Sequence, residues 1–281
     1  MTAKKLEKIA QFFGWKYFKY GTFWRNYYKE HQKELMEFYK LLEDEKSVEV
    51  VQSVVKFRKT RKDKYLTRVA EKDLRYFVNQ KNESVSYNYC QYFPNFISLS
   101  GKEVFVDCGS YVGDSIISLL AHTNGAVKKV HAFEPMKSNI ENLKINIDSL
   151  GIRKITSVHN VGLSDREKDV RFTFDLSGSR ISDESDGERA KLVVFDKHLT
   201  DKEKSEITFI KMDIEGSERE ALKGMAETIS KYKPKLAICI YHLPDDYFVI
   251  PKLIQSINPY YKFFVRQHEY LYASETVLYA I

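Results

Sequence analysis

The chain has 281 residues, a formal net charge of +6 and 43% hydrophobic residues, enough for one α/β domain of about 190 residues plus a helical addition. It contains no run of about 18 apolar residues, so no transmembrane helix is expected. Its three cysteines, Cys90, Cys108 and Cys239, are odd in number and widely spaced, which argues against a disulfide framework or a cysteine zinc site and for a reducing, cytoplasmic location.

The N-terminus, MTAKKLEKIAQFFGW, is basic but lacks a long apolar core and a small-residue cleavage site, so no secretory signal is expected. Residues 1–85 read as a helical extension. Leu35, Phe38, Tyr39 and Leu42 recur at helical spacing, as do Val51, Val54 and Val55, and then Val69, Leu74, Phe77 and Val78. Aromatics (Phe12, Phe13, Trp15, Tyr17, Phe18, Tyr20, Phe23, Trp24, Tyr27, Tyr28) interleave with basic residues, the densest run being KFRKTRK at 56–62. Such a surface suits an anionic partner. A helical cap with inward aromatics and solvated lysines is the favoured reading, and these helices also offer a homodimer surface. Residues 86–281 form the second unit, starting with a short helix after Pro94.

The next segment, VFVDCGSYVGD at 104–114, reads as strand, glycine turn and helix. Its loop is GxxxG, lacking the middle glycine that lets a pyrophosphate approach a helix N-terminus. Asp107 just before the turn would repel a pyrophosphate. A cationic cofactor without phosphates, such as S-adenosylmethionine (SAM), fits Asp107, Gly109, Ser110, Tyr111, Gly113 and Asp114 better.

A second strand at 129–133 ends in Glu134, about 20 residues past the turn, where Rossmann-like folds place the acid that binds a ribose. Pro135 opens a helix to Leu150. A third strand near 155–158 leads to the loop Gly162-Leu163-Ser164-Asp165, whose Ser164 and Asp165 are candidates for the adenine edge. The polar insert at 175–189 reads as a loop, with Ser179 and Arg180 as candidate substrate contacts.

A fourth strand at 207–212 ends at Asp213, followed by a helix at 217–231. A fifth at 236–241 ends at His242, followed by a helix at 247–257. The last two strands, 261–265 and 276–281, have no room for a crossover helix and should form an antiparallel hairpin. The whole reads as a Rossmann-like α/β fold: a seven-stranded, mostly parallel sheet closed by that hairpin.

Ligands sit outside the carboxyl ends of such strands. Asp213, Glu215 and His242 therefore converge as candidate catalytic residues. Two carboxylates and an imidazole suit Mg²⁺ or Mn²⁺. A metal-free general base and plain helix capping are the alternatives.

VFVDCGSYVGD, AFEP, VGLSD, IKMDIEGSEREALKGM, ICIYH and SETVLYAI resemble the FkbM family of SAM-dependent methyltransferases over residues 91–281. The resemblance implies a class I methyltransferase fold and O-methylation of a hydroxyl, commonly on sugars or secondary metabolites. It assigns SAM contacts to Asp107, Gly109, Tyr111, Gly113, Asp114, Glu134 and Asp165, and function to Asp213, Glu215 and His242. The expected acceptor is a sugar or related small molecule, including nucleotide-linked and polysaccharide precursors. Two rivals stand beside it, a nucleic-acid methyltransferase and a non-catalytic SAM-binding scaffold. Against the first, Asp213-Ile214-Glu215-Gly216 replaces the Pro-Pro-aromatic segment of amine-methylating DNA enzymes, so no nucleic acid partner is expected.

Overall fold

The computed structural model describes the backbone of residues 17–175, 178–182 and 187–281, and the side chains of 20–172 and 187–281. Phe12, Phe13, Trp15 and the side chains of Tyr17, Phe18, Ser179 and Arg180 therefore lie outside the described residues.

Three helices open the described chain: α1 (Tyr17–Glu30), α2 (Gln32–Leu41) and α3 (Glu45–Thr60), followed by the short α4 (Lys64–Thr67). Asp44 caps α3 by accepting the Ser47 N–H at 2.7 Å. Trp24 and Tyr28 of α1 are buried with Arg58 of α3, whose guanidinium lies 4.4 Å over the Trp24 ring and donates to the Tyr28 hydroxyl at 3.0 Å. One cation of the basic run is thus a core residue, while Lys56 and Lys62 are exposed.

Residues 66–78, expected to be helical, instead end α4 and run into an antiparallel hairpin, β1 (Leu74–Val78) with β2 (Ser84–Asn88). Leu74, Tyr76 and Val78 alternate along β1 and are exposed, so the period was two rather than that of a helix. Residues 89–100 form turns, not the short helix expected after Pro94.

The central sheet then builds in chain order. β3 (Glu103–Cys108) is buried along its whole length, as a central parallel strand must be. It is followed by α5 (Asp114–His122), β4 (Val127–Phe133), α6 (Lys137–Ser149) and β5 (Thr156–His159). Of the expected loop at 175–189, Asp175, residues 178–182 and residues 188–189 are strand and belong to a small sheet. β6 (Gly162–Leu163), β7 (Lys168–Asp175), β8 (Gly178–Ser182) and β9 (Glu188–Val193) assemble in the order β6-β9-β7-β8. Short helices α7 (Phe195–His198) and α8 (Asp201–Glu206) lead to β10 (Phe209–Met212).

The helix expected over 217–231 is two, α9 (Glu218–Gly224) and α10 (Ala226–Tyr232). The backbone there presses on the insert: a Cβ on Gly224 would stand 2.1 Å from the Ser164 carbonyl oxygen. β11 (Lys235–Cys239), α11 (Asp246–Ile257), β12 (Phe263–Gln267) and β13 (Thr276–Ala280) complete the chain. The main sheet has the order β12-β13-β11-β10-β3-β4-β5, with β13 antiparallel to both neighbours. This is the Rossmann-like class I arrangement with its closing hairpin. The N-terminal helices share one apolar core with the sheet: Trp24, Phe38 and Val54 pack in the same cluster as Ile210, Ile238 and Leu278. Among the described residues no helix is long and apolar enough to cross a membrane.

His268, just beyond β12, is 1% exposed, with Nδ1 2.8 Å from the Glu71 carbonyl oxygen and Nε2 2.8 Å from the Tyr279 hydroxyl. Burial lowers its pKa to about 4 from an ordinary 6.5. The unfolded chain therefore takes up the proton first, and the stability His268 contributes is complete above pH 6.5 and lost as pH falls toward 4. Asp114 and Asp246 titrate in the opposite sense, their pKa values raised by burial to about 6. The clean observable is therefore a difference. In urea unfolding, His268→Gln should remove a loss of about 2 kcal/mol between pH 7 and pH 5 relative to the unsubstituted chain. Identical pH profiles would refute this.

Candidate functional site

The carboxyl ends of β3, β4 and β10 open onto a cavity of about 400 Å³. Its floor is set by a buried ion pair. Asp107 of β3 and Lys211 of β10 are register partners in adjacent parallel strands, and Lys211 Nζ lies 3.0 Å from Asp107 Oδ1. Nζ also donates to the Gly109 carbonyl at 2.7 Å, so one ammonium holds both the strand end and the turn. Burial works against that charge, but Asp107, Asp213 and Asp114 outweigh it and keep Lys211 protonated.

The turn itself demands glycine. Gly109 has φ +82°, and a Cβ there would sit 1.9 Å from the Asp213 carbonyl oxygen. Ser110 points inward, donating to the Asp107 carbonyl at 2.8 Å. Tyr111 has φ 45° and its side chain stands 56% exposed at the cavity rim. Gly113 precedes α5 behind the loop, and Asp114 lines the cavity.

Glu134 faces the cavity from the end of β4. Its Oε2 accepts the Tyr111 N–H at 2.9 Å, and its Oε1 accepts the Met136 N–H at 2.9 Å and the Asn139 amide at 3.2 Å. Burial raises its pKa against these donors. Pro135, Met136, Asn139, Gly162, Leu163, Phe172 and Leu192 continue this side of the wall, the last four from the small sheet. Ser164 and Asp165 do not reach the cavity. Ser164 is buried under Gly224, and Asp165 is exposed beyond it.

Tyr92, Tyr241, Asp213, Glu215 and Glu275 also line the cavity. Asp213 Oδ2 accepts the Tyr92 hydroxyl at 3.0 Å, and its Oδ1 accepts the Tyr241 hydroxyl at 3.3 Å. Burial opposes its charge, but His242 and Lys211 outweigh it and hold the pKa below the usual carboxylate value. Glu215 is in the left-handed region at φ 56°, strain of the kind that clusters at functional sites.

His242 does not line the cavity. Its Nδ1 is 3.0 Å from Glu218 Oε1, and its Nε2 is 3.3 Å from Asp213 Oδ1 and 3.7 Å from Glu215 Oε2. Neither nitrogen is aligned for a hydrogen bond, and Glu218 Oε2 is also buried without one. Burial disfavours the imidazolium, but Glu218, Asp213 and Glu215 lift its pKa to about 10. His242 is thus a cation among three carboxylates behind the wall, not a base facing a substrate.

A metal would find its donors in Asp213, Glu218 and His242, whose ligand atoms lie within 4.8 Å of one another, rather than in the expected set with Glu215. Of these three only Asp213 lines the cavity, so two of the three donors face away from a substrate. The donor set does not fit a metal that activates an acceptor.

Sequence reading missed Lys211, Tyr92, Tyr241, Glu218 and Glu275. A signal existed for Lys211: it is the charged residue of the apolar run FIKM, two positions before Asp213. Nothing local marks Glu275 or Tyr92, which reach the cavity only through the terminal hairpin and the turns before β3.

The sheet order and a cavity at the strand ends define a Rossmann-like methyltransferase fold. The model of the methyltransferase FkbM domain matches residues 107–272, more than half of the chain, and the chain belongs to that family. It is similar to the crystal structure of methyltransferase FkbM from Methylobacillus flagellatus KT, with 26% identity and a TM-score of 0.75. That match covers 92% of this chain but only 60% of the other. Weaker likenesses include an rRNA methylase from Streptococcus thermophilus (15% identity, TM-score 0.42, covering 65% of this chain and 87% of the other). Another is precorrin-6y C5,15-methyltransferase from Geobacter metallireducens GS-15 (10% identity, TM-score 0.40, covering 65% and 80%). Likenesses this distant carry no argument about activity. No curated protein matches the chain.

Gly109 and Gly125 share a positive φ, but a Cβ on Gly125 would meet nothing within 4 Å. Gly125→Ala should therefore cost only the backbone strain, about 1 kcal/mol. Gly109→Ala adds a backbone collision and should cost more than about 3 kcal/mol. Equal urea midpoints for the two variants would contradict this account of the turn.

Proposed function

We propose that the chain is a SAM-dependent O-methyltransferase acting on a neutral hydroxyl compound, a sugar or a related small molecule. The observation that carries the reading is Glu134, a carboxylate fixed by two backbone N–H groups on one side of a 400 Å³ cavity whose glycine turn admits no side chain. Glu134 would take the ribose hydroxyls. Phe172, Leu163 and Leu192 offer apolar surface for an adenine, replacing the earlier assignment to Ser164 and Asp165.

SAM supplies an electrophilic methyl on a sulfonium. The chain positions the acceptor and excludes water. Asp213, ionised and already receiving the Tyr92 and Tyr241 hydroxyls, fixes both phenols at the acceptor end of the cavity. Glu215 lies beside it in the lining. His242 supports Asp213 as a buried cation. No step is assigned to a metal.

The charge of this end bears on the acceptor class. Asp213, Glu215 and Glu275 face the cavity, and Lys211, the cation there, is spent on Asp107 and Gly109. That favours an acceptor whose reacting end is uncharged over one bearing phosphates beside the hydroxyl, and it disfavours nucleic acid.

Calorimetric titration tests the cofactor reading. SAM should bind and NAD should not, and Glu134→Ala should weaken SAM by at least about tenfold, one good charged hydrogen bond. Methyl-labelled SAM offered with neutral sugars should give base-stable methyl ethers. Binding of NAD instead of SAM would end the proposal, label in amines would end its O-methyl part, and label in esters would end its hydroxyl acceptor.

A further inference from the structure

Glu275 precedes β13 and lines the cavity opposite Asp213. Its Oε2 receives the Gln91 amide, and its Oε1 lies 3.3 Å from the Tyr241 hydroxyl. That hydroxyl is also 3.3 Å from Asp213 Oδ1. One phenolic proton serves two carboxylates, so it can satisfy only one at a time. Asp213 has Tyr92 as a second donor and His242 as a facing cation. The ionised share therefore falls to Asp213, and Glu275 is the acid left to hold a proton. The groups facing Glu275 are Asp213 from β10, Tyr241 and His242 from the end of β11, and Gln91 from the turns before β3. Burial and the Asp213 charge raise its pKa to about 7. Two neighbouring carboxylates held in different charge states are a recurrent acid–base device.

The cofactor proposed for this cavity changes charge during its reaction, and this inference rests on that reading. We propose that Glu275 is the proton partner of the sulfonium: it gives up its proton when SAM binds and takes the acceptor's proton as the methyl is transferred. The balance closes. The acceptor oxygen forms the new C–O bond with a lone pair. The C–S bond breaks with its electrons on sulfur, which becomes a neutral thioether. The hydroxyl proton moves to the Glu275 carboxylate. The cavity holds a cation and a carboxylate before transfer, and a neutral thioether and a neutral carboxylic acid after it. His242, one of the three candidate catalytic residues, stands behind the wall and does not line the cavity, so this role does not fall to it.

The test needs no acceptor. SAM and S-adenosylhomocysteine are titrated into the full chain at pH 7 by calorimetry in phosphate and in Tris, whose ionisation enthalpies differ. SAM should release about half a proton, as expected for a group near half-titration, while S-adenosylhomocysteine should release little. Glu275→Gln should still bind SAM but lose the release; the ligand's own ammonium contributes equally in both chains, so the difference belongs to residue 275. Equal proton exchange for the two ligands with the unsubstituted chain overturns the proposal, and so does release that survives in Glu275→Gln. If SAM fails to bind the unsubstituted chain, the cofactor reading falls first and takes this inference with it.

Discussion

The candidate site depends on one buried cation. Lys211 reaches from β10 across the register to Asp107 on β3 and to the Gly109 carbonyl, tying two parallel strands and the glycine turn into a single unit. Its side chain is 3% exposed and that of Asp107 is fully buried, and one Asp107 oxygen has no hydrogen-bond partner. Desolvating such a pair costs several kcal/mol per ion, and breaking it by removing one partner costs about 3–5 kcal/mol. The sheet tolerates this because the pair positions chemistry: Glu134 can orient on the Tyr111 N–H only if the turn between them is fixed.

From that anchor a sequence of carboxylates follows along the cavity, each placed in a different electrostatic environment. Glu134 is oriented by one backbone N–H on each oxygen. Asp213 is kept ionised by His242 and Lys211 despite burial. Glu275 has its pKa raised to about 7 by burial and the Asp213 charge. His242 sits behind this row as its counter-charge, with Glu218 against its other nitrogen. The pattern explains why a histidine at a strand end, a natural candidate for a base, serves instead as a fixed cation. Asp213 and Glu215 do meet its Nε2, at 3.3 and 3.7 Å, but that nitrogen stands behind the cavity wall.

Much of the sheet was legible because its strands are nearly continuous apolar runs ended by Asp107, Glu134, Asp213 and His242. The terminal hairpin was legible from the lack of room for a crossover. The small sheet was missed because residues 175–189 are polar in composition, and because Val170 and Phe172 alternate with Arg171 over too short a run to stand out, though they build β7 and carry Phe172 to the cavity. Residues 74–78 were misread because Leu74, Phe77 and Val78 satisfy a helical spacing as well as a strand one. At the site, Glu134, Gly109 and Asp213 were visible through local spacing. Tyr92, Tyr241 and Glu275 were not, because their roles arise from long-range pairings that bring the turns before β3 and the last hairpin to the end of β10. The inward face of Ser110 and the burial of Ser164 under Gly224 are likewise tertiary facts.

The most direct measurement is paired unfolding and SAM titration of Lys211→Met, a substitution that keeps an unbranched apolar stem and removes the ammonium. If Lys211 organises the site, the variant should lose about 3 kcal/mol of stability and at least about tenfold in SAM affinity, because Gly109 and Asp107 lose their common tether. A Lys211→Met chain as stable as the unsubstituted one, binding SAM equally well, would contradict the account.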